Sequence, residues 1–279
     1  MAPPIRPLGE ADLDAACALS AAAGWNQTIA DWRMFLRDGR AWGIEADGVL
    51  AASAAVLPFG PEVAWVSMVL TLPDHRGRGY ATALMAHALA ALAASGQRAV
   101  LDATPLGQPV YTKLGFAPLW SFRRWRLEAS GGAVQGVRPL RPADWPEILA
   151  LDAAASGVPR ERLLRAIAAR QPAAARVALA GGRIEGFALA RDGRLAPQIG
   201  PVVARDGRSA QRLIAGALAA LPPGRGVVID LADAQAELAA WLAGRGATPQ
   251  RPFTRMALGT APLPGEASLI VAPIGPEFG

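Results

Sequence analysis

Val69-Leu70-Thr71-Leu72-Pro73-Asp74-His75-Arg76-Gly77-Arg78-Gly79-Tyr80-Ala81 is the stretch on which the reading of this chain turns. An apolar strand runs into a Pro-Asp turn, a loop of glycines and arginines follows, and a helix opens without a break. Glycine lets a backbone approach a ligand and take positive φ. The first N–H groups of a helix have no partners inside it, and the helix dipole adds partial positive charge there. The order predicts an anion site built from main chain, with a phosphate or pyrophosphate as its occupant. The loop lacks the Gly-Lys-Ser/Thr ending of a P-loop and the GxGxxG spacing of a dinucleotide turn. Its own pattern is Arg76-x-x-Gly79-x-Ala81.

Outward from the loop, residues 63–72 read as the strand that feeds it. Alternation would put Trp65, Ser67, Val69 and Thr71 on one face and Ala64, Val66, Met68 and Leu70 on the other. The helix after the loop carries Ala81, Leu84, Met85, Ala88, Leu89 and Leu92 on one stripe, a face for packing on a sheet. Residues 99–104 form the next strand, and reaching it through a helix makes the two strands parallel. A short helix over 105–114 ends in Tyr111-Thr112-Lys113-Leu114-Gly115-Phe116, and residues 119–127 form a further strand.

Upstream, residues 5–8 read as a strand. A helix from Ala11-Asp12 to Gly24 follows, then the loop Trp25-Asn26-Gln27-Thr28. Thr28 with Asp31 resembles a capping box for a helix bearing Trp32, Phe35 and Leu36. Asp47-Gly48 joins strands 41–45 and 49–57 as a hairpin.

Arg76-x-x-Gly79-x-Ala81 after a strand resembles motif A of the GCN5-related N-acetyltransferases, the GNAT family. Tyr111-x-x-x-Gly115-Phe116 resembles that family's Tyr-x-x-x-Gly-Phe motif, and the two stand in the family's order. The resemblance implies an α/β (α+β) fold with a mixed central sheet flanked by helices, and acetyl-CoA as co-substrate. It implies that Arg76, Gly77, Arg78, Gly79, Tyr80, Ala81 and Thr82 take the pyrophosphate. Main-chain groups of Val69, Leu70 and Thr71 would hold the pantetheine and polarise the thioester, and Tyr111 would protonate the leaving thiolate. In this family the loop between the first two helices often lines the acceptor site. Trp25, Asn26 and Gln27 are therefore candidates, with Trp65 and Ser67 on the substrate side of the central strand; Trp32 and Trp120 could add to an aromatic pocket. A local reading stands beside this one: Asn26 and Thr28 as caps, and the tryptophans as core. Neither Glu62 nor Glu45 stands out as the general base, and His75 reads as a turn residue.

The chain then starts again. Val137-Arg138-Pro139-Leu140 with Ala143-Asp144 repeats Ile5-Arg6-Pro7-Leu8 with Ala11-Asp12 at an offset of 132 positions. Repetition at this scale means two copies of one fold. The expected domains are 1–128, a Gly-rich linker 129–136, a second copy 137–260, and a tail 261–279 that is either disordered or docked as an edge strand through its apolar run. The second copy departs from both motifs. Its loop is Arg205-Asp206-Gly207-Arg208-Ser209-Ala210, with Arg208 against Gly79, Asp206 against Gly77, and Leu242 in the place of Tyr111. The whole chain is similar to bacterial tandem GNAT proteins with a degenerate second half of the YitH type.

Composition narrows the partners. Net charge is +5 and pI about 10.5, but the arginines are scattered and Lys113 is the only lysine. Without a basic stripe the charge does not point to nucleic acid. No run reaches the length and apolarity of a membrane span, and the N-terminal residues lack a secretory pattern, so the cytoplasm is expected. One cysteine, Cys17, excludes an internal disulfide and offers no metal cluster. The expected partner is a small-molecule amine, the expected state a monomer or homodimer, with no metal. Two rival readings are a protein N-acetyltransferase and a non-catalytic acyl-CoA sensor or scaffold.

Overall fold

The computed structural model describes residues 4–132 and 134–279; Ala133, within the expected linker, lies outside them. Packing divides the chain into two units. The first takes in residues up to Leu101 with Gly193–Leu195 and Phe278; the second holds Asp102–Asp192, Ala196–Glu277 and Gly279. These packing units do not coincide with the sequence repeat, because residues 102–128 pack with the second copy.

The first unit contains β1 (Ile5–Pro7), α1 (Leu13–Ala22), α2 (Ile29–Asp38), β2 (Arg40–Ala46), β3 (Val49–Phe59), β4 (Val63–Thr71), α3 (Tyr80–Ala94) and β5 (Arg98–Ala103) as far as Leu101. The strands β1 to β4 pair antiparallel in chain order, and β5 pairs parallel to β4, as its crossover helix requires. The hairpin turns at Asp47 and Gly48 with φ of 54° and 77°, the primed turn that Asp-Gly encodes. Trp32, Phe35, Ile44, Leu84 and Met85 are buried between helices and sheet. Each such side chain stabilises the fold by roughly 1.5–3 kcal/mol.

The expected alternation along β4 fails at Met68. Ala55 pairs with Ser67 but Ser53 pairs with Leu70, so β4 carries one residue more than β3. Met68 takes φ of 52°, and the Ser53 hydroxyl donates to its carbonyl at 2.8 Å. Beyond this bulge Leu70, not Val69, continues the face of Trp65 and Ser67. A strand buried on both faces shows no alternation of buried and exposed residues by which a sequence could mark the slip. β4 and β5 pair only where Val63, Ala64 and Trp65 meet Arg98, Ala99 and Val100, and then fork apart.

The second unit contains α4 (Gln108–Lys113), β6 (Phe116–Glu128), β7 (Val137–Pro139), α5 (Trp145–Ser156), α6 (Glu161–Arg170), β8 (Arg176–Ala180), β9 (Arg183–Arg191), β10 (Gln198–Ala204), α7 (Gly207–Leu218), β11 (Gly226–Ala232), α8 (Ala236–Ala243), β12 (Thr248–Leu258) and β13 (Ile270–Ala272). Its sheet runs β12-β6-β11-β10-β9-β8-β7. β6, the last strand of the first copy, lies antiparallel to both β11 and β12. β10 and β11 are parallel across α7 and pair only at Gln198–Val228 and Ile199–Ile229 before they too fork. There β13 enters, pairing antiparallel with Val202 and Val203 of β10. The tail thus docks as a strand in the fork, and not on a sheet edge. Gly200 permits this, since a Cβ there would sit 2.2 Å from the Pro273 carbonyl oxygen.

The repeat has a physical core in both units. Arg6 holds Asp12 at 2.6 Å and Arg138 holds Asp144 at 2.7 Å, and each aspartate also accepts a backbone N–H three residues before it. Among the described residues no helix is long and apolar enough to cross a membrane, and no group of three His, Cys, Asp or Glu is placed to hold a metal.

Candidate active site

The glycine loop lies in the first unit. Pro73–His75 forms a single 3₁₀ turn after β4, and the chain then passes Arg76, Gly77 and Arg78 to Gly79, the N-cap of α3. Gly77 and Gly79 hold φ of 74° and 80°, and no atom lies within 4 Å of where a Cβ would stand on either. No side chain caps α3. Arg76, Arg78 and Thr82 are exposed, and the Arg78 guanidinium leans back on the Asp74 carbonyl oxygen at 3.3 Å and Asp47 at 3.5 Å. An open, uncapped helix terminus with two positive-φ glycines is a cradle for an anion. His75 is buried and stacks on Tyr80, which places it in the turn's packing, as expected of it.

The second unit closes the same kind of terminus on itself. Asp206 is the N-cap of α7, and its carboxylate accepts from the Ser209 N–H and hydroxyl, each at 2.8 Å. Superposing the two helix starts sets Asp206 against Gly79, where the sequence comparison had set Arg208. Asp206 with Ser209 three residues on is a capping signal already present in the sequence.

Along β4, Val69 and Thr71 are half-buried and Leu70 is buried. The Thr71 and Ser67 hydroxyls and the Gln27 side-chain oxygen are buried without a hydrogen-bond partner. Orphaned groups of this kind cost about 1–3 kcal/mol each, and a ligand is one way to satisfy them. The cradle, the open fork beside β4 and the orphaned Thr71 oxygen fit a pantetheine-bearing pyrophosphate such as acetyl-CoA.

Among the acceptor candidates, Asn26 and Gln27 are buried and Trp25 is half-buried. Their loop is gripped by Gly193–Leu195, the β9–β10 connection of the second copy. The Arg194 N–H donates to the Asn26 carbonyl oxygen at 2.9 Å, the Leu195 N–H to Asn26 Oδ1 at 2.8 Å, and Arg194 Nε to the Trp25 carbonyl oxygen at 3.0 Å. Leu195 and Ile29 remain exposed. No sequence signal announced this grip, because it joins residues 169 positions apart. Thr28 caps α2 as expected, its N–H donating to Asp31 at 2.7 Å. Trp32 is core, with its indole N–H on Ser20 at 2.8 Å, and Trp65 is buried on β4. Glu45 is engaged by Arg6 at 2.9 Å, and Glu62 is exposed.

Tyr111 belongs to the second unit, on α4, with its ring 6.0 Å from that of Phe116. Burial pushes its hydroxyl up to about 12. At neutral pH it therefore holds its proton. A Cβ at Gly107 would come within 2.9 Å of the tyrosine ring, so this glycine makes the room for it.

Comparison with known proteins accords with the geometry. A family model described as an acetyltransferase (GNAT) domain matches residues 4–119, and a second of the same description matches residues 148–272. No curated protein matches the sequence. A putative acetyltransferase from Pyrococcus horikoshii superposes with a TM-score of 0.82 at 20% identity, over 99% of this chain and 95% of that one. A GCN5-related N-acetyltransferase from Sphaerobacter thermophilus gives 0.64 at 18% identity, over 95% and 98%. A tandem GNAT protein from the clavulanic acid biosynthesis pathway gives 0.62 at 18%, over 93% and 99%. With both copies matched by acetyltransferase domains, the chain belongs to the GNAT family as a tandem member.

Proposed function

We propose that the chain transfers an acetyl group from acetyl-CoA to a primary amine of a small molecule by direct attack, with the cofactor held by the first copy only. The observation that carries this reading is the contrast between the two helix termini: α3 is uncapped behind two open glycines, whereas α7 is capped by Asp206. The forks differ in the same sense. β13 fills the one beside β10, and among the described residues no strand pairs with β4 past Trp65 on the β5 side.

Acetyl-CoA supplies the acetyl thioester. The residues that would hold it are Gly77 to Thr82 at the pyrophosphate, with Arg76 and Arg78 adding charge, and the main chain of Val69, Leu70 and Thr71 along the pantetheine. Preorganised main-chain donors of this kind are usually the largest catalytic contribution. The Met68 bulge re-aims the backbone of that segment. Tyr111 keeps its proton at neutral pH, the state that a general acid for the departing thiolate requires. Arg194 and Leu195, by fixing the Trp25–Gln27 loop, give the second copy its part in shaping the acceptor site.

The test is thermal denaturation with acetyl-CoA of the wild type, Gly79→Arg and Thr82→Glu, beside an assay of amine-dependent thiol release. Ligand at 100 times its Kd adds about 2.7 kcal/mol. Stabilisation of the wild type and of neither variant supports the site. Thr82→Glu is the cleaner variant, since an acid in the first helical turn favours the helix while repelling phosphate. A folded wild type indifferent to acetyl-CoA overturns the reading. Binding without any amine-dependent turnover would leave a sensor.

A further inference from the structure

Asp47 stands at the apex of the β2–β3 hairpin with φ of 54°, followed by Gly48 at 77°. The turn does not require its charge, since asparagine before glycine suits the same conformation. Its carboxylate nonetheless faces the glycine loop of the first unit. One oxygen, Oδ2, lies 3.5 Å from Nη1 of Arg78 and 3.8 Å from Nδ1 of His75. An acid beside a phosphate cradle opposes the ligand that the cradle serves, so its place there calls for a reason other than the turn.

The two neighbours differ in their settings. Arg78 is exposed, and its pair with Asp47 is too long and too open to hold it firmly. A phosphate oxygen offers the same guanidinium a shorter, charge-assisted hydrogen bond. His75 is buried against the ring of Tyr80, and its Nδ1 has no hydrogen-bond partner. The Asp47 side chain is 71% exposed and has room to swing. A shift of about 1 Å brings Oδ2 within hydrogen-bond reach of Nδ1. The other groups around His75 are Tyr80 from α3 and Asp74, Arg76 and Arg78 from its own loop. The strand alongside is β3, whose Ala51 carbonyl oxygen accepts from the Leu72 N–H at 2.9 Å, and β3 carries no titratable side chain from Val49 to Phe59.

We propose that Asp47 is a counterion shared by Arg78 and His75, and that anion binding in the cradle is thereby linked to proton uptake. As Arg78 turns to a phosphate, the carboxylate closes on His75. A proton from solvent goes to the imidazole, and the Nδ1–H donates to Oδ2, so the carboxylate keeps a cation beside it throughout. Linkage is reciprocal, and the cradle takes its anion more tightly at pH 6 than at pH 8. That the anion is acetyl-CoA rests on the transfer reading above; the sharing of Asp47 does not.

The test reads the imidazole directly in the full chain. The sequence contains two histidines, His75 and His87, so a His87→Gln variant assigns the ring signals in an NMR spectrum at pH 7. Without ligand, Arg78→Gln should move the His75 signal toward its protonated position, because Asp47 is released. Acetyl-CoA should do the same in the wild type, and adding Asp47→Asn should cancel both shifts. In calorimetric titration, acetyl-CoA should tighten from pH 8 to pH 6 by about three-fold more in the wild type than in Asp47→Asn, the ligand's own phosphate titration being common to both. A His75 signal that stays in place in ligand-free Arg78→Gln, or that moves as far once Asp47→Asn is added, overturns the proposal. Equal pH dependence of binding in the two proteins overturns it as well. Both substituted side chains are exposed and asparagine suits the turn, so the variants keep the fold. If acetyl-CoA does not bind, the transfer reading falls, and the ligand-free Arg78→Gln spectrum still decides this one.

Discussion

Tyr111 shows what burial does to a single side chain. Its hydroxyl is pushed up to about 12 by burial alone. The fold therefore favours the neutral phenol. The resulting stabilisation is complete below the ordinary value near 10 and is lost as pH rises from there through about 12. A falling melting temperature across that range in the wild type, flattened in Tyr111→Phe, would check the sign. The same variant should lower kcat by about 10²-fold while leaving the acetyl-CoA thermal shift intact, if the hydroxyl is the acid. The paired clamps follow the opposite sign. Hydrogen bonding to Arg6 and Arg138 lowers Asp12 and Asp144 respectively. Their contribution is present above the ordinary carboxylate range and lost as pH falls through the depressed values. Arg138 is partly exposed, so Arg138→Met should cost only about 1 kcal/mol at pH 7 in urea unfolding and almost nothing at pH 2. These clamps also explain why Arg-Pro-Leu and the later aspartate are the legible part of the repeat: each copy needs the same ion pair to fasten its first strand to its first helical turn.

The element that separates the copies is the helix terminus. α3 and α7 both follow a strand and both pack on the sheet, but only α7 caps itself. Asp206 is lowered chiefly by the N–H of Ser209, so the cap operates above the ordinary aspartate range and fails as pH falls through its depressed value. Asp206→Ala should cost about 1 kcal/mol at neutral pH, measured by urea unfolding, and little at pH 2. The motif of the first loop was legible because glycine at positive φ has few substitutes. The bulge at Met68 was not, because every residue of β4 from Val63 to Met68 is buried and periodicity carries no register there. Similarly, residues 119–127 read as a strand, but nothing in them indicates that β11 and β12 would be its neighbours.

At the scale of the whole molecule, the fork in the second unit is filled by the chain itself. β13 pairs with β10, and the backbone of Gly200 lies so close to Pro273 that any side chain would expel the strand. Gly200→Ala should therefore raise amide hydrogen exchange at Ile270–Ala272 by orders of magnitude and cost about 1–3 kcal/mol of stability. An unchanged exchange rate would show that β13 is not held by that contact. Unlike the termini, the fork could not be read from residues 261–279, whose apolar run suits an edge strand equally well.

What depends on local rules is legible in the residues alone. These are the glycine cradle, the parallel crossover, the primed hairpin, the capping box at Thr28 and the two-fold repetition, each set by backbone sterics or by neighbours within a few residues. Which strand pairs with which, where β4 slips its register, and that Gly193–Leu195 grips the loop at Asn26 come from the packed chain. Those outcomes depend on groups 15 to 169 residues apart meeting in a buried, low-dielectric setting. There every donor and charge must find a partner, and no local pattern records which one it finds.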